Sequence, residues 1–137
     1  MGNHVATGAV NHLVITVGDL DRTCDFYTGL LGFKKVMDIS PTRALLSNGS
    51  TVLALGTAPD PSRAIAGDRF DENRIGLDHL SVSVSSRDEL EAAARLFDER
   101  GVPRGEIKNL EGLGMYVLAF RDPDNVQLEL TAPHNGS

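Results

Sequence analysis

Tryptophan is absent from this chain of 137 residues, and cysteine occurs once, at position 24. A single thiol closes no intrachain disulfide, so nothing calls for an oxidising compartment and the cytoplasm is the expected location. Basic charge is scarce as well: 13 Lys and Arg against 19 Asp and Glu give a formal charge of -6. That balance offers no basic stripe for a phosphate backbone, so nucleic acid is not an expected partner. No run approaches the ~20 apolar residues of a membrane-spanning helix, and the opening MGNHVATGAV has neither the charged region nor the apolar run of a leader. No membrane partner is expected, and the chain reads as one unprocessed domain spanning residues 1–137, long enough to bury a proper core.

What is present is a repeat. The stretch NHLVITV at Asn11 to Val17 returns as DHLSVSV at Asp78 to Val84, with a histidine at the same place in both. In the first copy Leu13, Ile15 and Val17 fall on one strand face, and His12, Val14 and Thr16 on the other. GDLDRTCDFYTGLLGF then predicts a helix of about three turns, capped by an aspartate, with Cys24, Tyr27, Leu30 and Leu31 inward and Gly32 as its stop. Extended segments are expected at Phe33 to Ile39, Arg43 to Leu46 and Thr51 to Leu55.

The second half runs in the same order. After the strand at Leu77 to Val84, Ser86 and Glu89 form a capping box, and Leu90, Ala93, Ala94 and Phe97 make an apolar stripe that Gly101 ends. Extended segments follow at Val102 to Lys108, Met115 to Phe120 and Val126 to Thr131. The expected fold is α+β, with two tandem β-α-β-β-β modules forming a cup-shaped mixed β-sheet with helices outside. Module one covers about residues 9–56, a linker rich in Pro, Gly and charge covers 57–76, and module two covers about 77–132.

His12, His79 and Glu129 are polar, able to bind metal, and in phase with the faces their strands turn away from the core. Two imidazoles and a carboxylate suit a first-row divalent ion and leave positions open for substrate. Tyr116 is a candidate catalytic acid or base, since a phenol beside a reacting oxygen can relay a proton, with packing in a strand as the plainer alternative. Arg43, Lys108, Arg121 and Gln127 are candidates for polar contacts with a substrate, each also readable as a surface residue. Phe26 and Tyr27 read as packing residues, Cys24 as a small core residue, and His4 and His134 as tail residues.

NHLVITVGDLDRTCDFYTGLLGF, LDHLSVSV and FRDPDNVQLEL together resemble the vicinal oxygen chelate superfamily, which groups glyoxalase I, bleomycin-resistance proteins, fosfomycin-modifying enzymes and extradiol dioxygenases. The resemblance runs from about Val10 to Ala132. It implies His12, His79 and Glu129 as ligands of one divalent ion per site, with Fe, Mn, Ni, Co and Zn all open. It implies an enzyme activating a small oxygen-bearing substrate, dioxygenase-like or lyase/isomerase-like, with a non-catalytic protein that sequesters an antibiotic or metabolite as the alternative. A homodimer, its site completed by His12 of one chain with His79 and Glu129 of the other, is implied too. Glyoxalase I draws a further carboxylate from the last strand of the first module, and aligning STVLALG with NVQLELT puts Ala54 at that place, which disfavours that activity. Asn125, where the family more often has glycine, tolerates a left-handed backbone.

Overall fold

Ile15 and Val17 are buried while His12, Val14 and Thr16 stay exposed, so the first strand sorts its faces as the alternation requires. The computed structural model describes residues 3–134, and the chain divides into two units, Met1–Ala66 and Gly67–Ser137.

In the first unit β1 (Leu13–Thr16) leads to α1 (Leu20–Leu31), β2 (Lys34–Ser40), β3 (Arg43–Ser47) and β4 (Val52–Gly56). The Asp19 carboxylate accepts from the Arg22 backbone N–H at the start of α1, satisfying a donor the helix itself cannot. Gly32 ends α1 at φ 76°, a left-handed value that costs glycine little. The sheet order is β1-β4-β3-β2, with β1 and β4 parallel and the other pairs antiparallel. All seven residues of the edge strand β2 are exposed, and its register slips twice, between Lys35 and Met37 and between Asp38 and Ser40.

The second unit repeats the plan with β5 (Leu80–Ser83), α2 (Arg87–Glu99), β6 (Lys108–Leu110), β7 (Met115–Arg121) and β8 (Gln127–Pro133), in the sheet order β5-β8-β7-β6. Both units are therefore β-α-β-β-β, as the repeat predicts. Ser86 Oγ accepts from the Glu89 N–H to start α2. Leu90, Ala94 and Phe97 bury the stripe, and Phe97 meets Phe120 at a ring separation of 4.5 Å. Each buried side chain of this size contributes about 1.5–3 kcal/mol of apolar transfer. Each helix packs on one face of its own sheet.

Two expectations need correction. Val102 to Lys108 is not a strand: it touches the sheet through one bridge, Arg104 to Phe120, before β6 begins at Lys108. Pro103 has no N–H to give a ladder, and the Arg104 guanidinium turns back to Asp98 at 2.8 and 2.9 Å. On α1 the fully buried positions are Thr23 and Tyr27, while Cys24, Leu30 and Leu31 are half-buried. Burial raises the Cys24 thiol pKa, so it rests as an inert thiol. The segment 57–76 contains a 3-10 turn at Pro61–Arg63 capped by Asp60.

Candidate metal centre

The second unit brings two of the expected ligands together. Leu128 and Leu130 of β8 are buried, as is Val126 just before it, which turns Gln127 and Glu129 to the other face of the sheet. Parallel pairing sets Ser81 beside Glu129, so His79, two residues earlier, stands within reach of its carboxylate. His79 Nε2 lies 3.4 Å from Glu129 Oε1.

Two donors about 2.1 Å from one ion stand roughly 3.0–3.4 Å apart in octahedral or tetrahedral coordination, and the separation of this pair lies at the upper end of that range. The other ring nitrogen is engaged too: His79 Nδ1 is 2.7 Å from Asp78 Oδ1. A proton held there leaves the Nε2 lone pair free to bind a cation.

His12, in the first unit, has the same arrangement with an amide in place of the acid, its Nδ1 2.7 Å from Asn11 Oδ1. Parallel pairing there sets Ala54 beside Val14, so the place of Glu129 is taken by a methyl group. Among the described residues no group of three or more His, Cys, Asp and Glu side chains forms a metal cluster.

Asn11 and Asp78 are the residues that sequence reasoning passed over. The signal was present, because both copies of the repeat place a side-chain acceptor immediately before the histidine. Gln127 and Arg121, candidates for substrate contacts or surface residues, are engaged within the protein. Gln127 Nε2 donates to Asp78 Oδ1 at 3.0 Å and to the Asp78 carbonyl at 3.2 Å. Arg121 donates to both oxygens of Glu72 at 2.8 and 3.0 Å, and to the Asn125 carbonyl. The Arg121 guanidinium, helped by a backbone N–H, holds the Glu72 carboxyl down to about 2.

The chain before β5 is fastened to the β7–β8 turn. The Phe70 N–H donates to the Asp124 carbonyl, and Asn125 Nδ2 donates to the Phe70 carbonyl. Asn125 adopts φ 71°, the left-handed conformation its side chain tolerates.

Tyr116 is not brought to the pair. Antiparallel register matches Ala119 with Glu129 and Tyr116 with Ala132, so Tyr116 turns to the opposite, buried face of β7. There its ring stacks on His134 at 4.3 Å with the Arg87 guanidinium 5.2 Å away, a packing arrangement that also draws His134 out of its expected tail. Lys108 is exposed on β6, and the Arg43 side chain lies over Gly56, where an added Cβ would meet Nε at 2.9 Å.

Comparison with known proteins agrees with this architecture. Residues 9–130 match the family model of the glyoxalase/bleomycin resistance protein/dioxygenase superfamily. The uncharacterized protein YwkD of Bacillus subtilis strain 168 is 29% identical over 128 residues, covering 89% of this chain and 94% of that protein. A lactoylglutathione lyase of Escherichia coli O157:H7 is 27% identical, covering 87% and 88% of the two chains. Among solved structures, a glyoxylase/bleomycin resistance protein/dioxygenase domain from Frankia sp. EAN1pec superposes with a TM-score of 0.77 at 31% identity, covering 96% of each chain.

Proposed function

Because the chain belongs to the glyoxalase/bleomycin resistance protein/dioxygenase superfamily, we propose that it is a divalent-metal enzyme that activates a small oxygen-bearing substrate, with His79 and Glu129 as two of its ligands. The observation that carries this reading is the 3.4 Å approach of His79 Nε2 to Glu129 Oε1 while Asp78 occupies the other ring nitrogen. His12 is proposed as the third ligand, from the same chain or a second copy in a homodimer. It is the repeat mate of His79, and its Nδ1 is engaged in the same way by Asn11.

When bound, such an ion supplies Lewis-acid polarisation of a substrate oxygen. This chain's own residues would do the rest: Asp78 would hold the proton on Nδ1 of His79, and Glu129 would supply one negative charge to the site. Ala54 offers no donor at the place paired with Val14, so the set stops at two imidazoles and one carboxylate. That difference weighs against carrying over the activity of the lactoylglutathione lyase relative. The reactions that remain are dioxygenase-like or lyase/isomerase-like, and the ion present in the isolated protein divides them.

The deciding experiment is elemental analysis of protein purified without oxygen or chelator, beside His79→Ala prepared in the same way. Iron in the wild type and none in the variant directs the search to catechols and related oxygenase substrates. Mn, Ni, Co or Zn directs it to isomerase, lyase and transferase assays. No metal in either protein, and none taken up on titration, overturns the proposal and leaves a protein that sequesters its ligand without turnover.

A further inference from the structure

A file of polar side chains runs through the second unit from the segment before β5 to the candidate ligand pair. Glu72 holds Arg121 by two hydrogen bonds, and Arg121 Nη2 reaches Gln127 Oε1 at 3.4 Å. Gln127 Nε2 donates to Asp78 Oδ1 at 3.0 Å, and that same oxygen lies 2.7 Å from His79 Nδ1. His79 Nε2 then faces Glu129.

The direction of the two Gln127 links is forced. Arginine can only donate and an ionised aspartate can only accept, so the Gln127 amide must turn its oxygen to Arg121 and its nitrogen to Asp78. The link matters because Asp78 and His79 stand in water, with side chains 67% and 38% exposed. An exposed aspartate held by one hydrogen bond exchanges readily with solvent, whereas a second tether from Gln127 keeps it on Nδ1. The first unit differs here: its register places Val52 and Ser47 where the second unit has Gln127 and Arg121.

We propose that Gln127 and Arg121 are positioning residues for His79, holding Asp78 against Nδ1 so that the ring keeps Nε2 directed at Glu129. Glu72 ties the segment before β5 into the same file. The inference rests on the reading of His79 and Glu129 as metal ligands, and its test separates the two.

The test uses the full chain as wild type, Gln127→Glu and Arg121→Lys, with folding checked by thermal melting. Gln127→Glu retains an oxygen for Arg121 but removes the donor to Asp78. Long-range proton–nitrogen NMR of the metal-free protein, at a pH where the imidazole is neutral, reports which nitrogen of His79 carries the proton. The expected result is Nδ1–H in the wild type, a mixture with Nε2–H in Gln127→Glu, and a smaller change in Arg121→Lys. Titration with Co(II) is expected to show about tenfold weaker binding in Gln127→Glu, within the range for outer-shell partners of ligand histidines. The added negative charge alone would tighten binding, so a loss points to positioning. Unchanged tautomer and affinity in folded Gln127→Glu overturns the inference while leaving the ligand reading intact. A shifted tautomer in Gln127→Glu, together with a wild type that binds no metal, overturns the ligand reading and retains the positioning of His79.

Discussion

Ala54 and Glu129 occupy the same place in the two sheets. Ala54 pairs in parallel with Val14 and Glu129 with Ser81, each partner lying two residues beyond a histidine. The repeat therefore offers two equivalent positions for a carboxylate, and the chain fills one.

Placing a carboxylate at the empty position is a direct test of that equivalence. Ala54 is 2% exposed, so Ala54→Glu puts a charge where desolvation opposes it. The metal-free melting temperature is expected to fall by about 5–10 °C, the shift that roughly 2 kcal/mol produces in a domain of this size. Divalent metal is expected to recover part of the loss in the variant, read by differential scanning fluorimetry with and without Ni(II).

His79→Ala and Glu129→Gln are expected to weaken metal binding by at least about 100-fold, since each removes a ligand rather than a supporting group. Neither side chain is buried in the core, so the unfolding free energy should stay within about 1 kcal/mol of the wild type. Calorimetric metal titration and urea melts on the same samples separate the two effects. A stability loss as large as the binding loss would contradict this assignment.

Acid stability should report the Glu72–Arg121 pair. The Glu72 carboxyl titrates at about 2 in the folded chain against 4.5 for the free group, chiefly because of the Arg121 hydrogen bonds. A lowered folded pKa stabilises the fold above the unfolded value and loses that contribution as pH falls through the folded one. Wild-type stability should therefore decline between about pH 4.5 and 2, and Glu72→Gln should flatten that limb while being less stable than the wild type at neutral pH. Urea melts across that range check it.

Tyr116→Phe is expected to leave Co(II) affinity within about twofold of wild type, because the hydroxyl lies on the face of β7 opposite to Glu129. Phe97→Ala is expected to cost about 3–5 kcal/mol, because its ring is 1% exposed and packed on Phe120. Denaturant melts and metal titration of the two variants should give opposite profiles.

Period and punctuation carried the parts of this fold that were legible in advance. The alternation around His12 and His79, the caps at Asp19 and Ser86, and the stop at Gly32 are local, and each is read from residues a few places apart. The orientation of Tyr116 was not legible, because MYVLAF is apolar in both phases and alternation cannot choose a face. The support behind His79 escaped notice for another reason. Glu72 meets Arg121 and Gln127 meets Asp78 across 49 residues of sequence in each case, and only sheet register creates those contacts. Val102 to Lys108 was misread because apolar and charged residues in it resemble a strand, while Pro103 and the pull of Asp98 on Arg104 prevent one.

The slipped register of β2 bears on how the chain behaves at high concentration. An edge strand with exposed Val36, Met37 and Ile39 would otherwise be a template on which a foreign strand could add, extending the sheet from one molecule to the next. The two slips break the even spacing that such growth requires, and Lys34 and Lys35 set positive charge at its start. The geometry of one strand thus works against sheet-to-sheet growth.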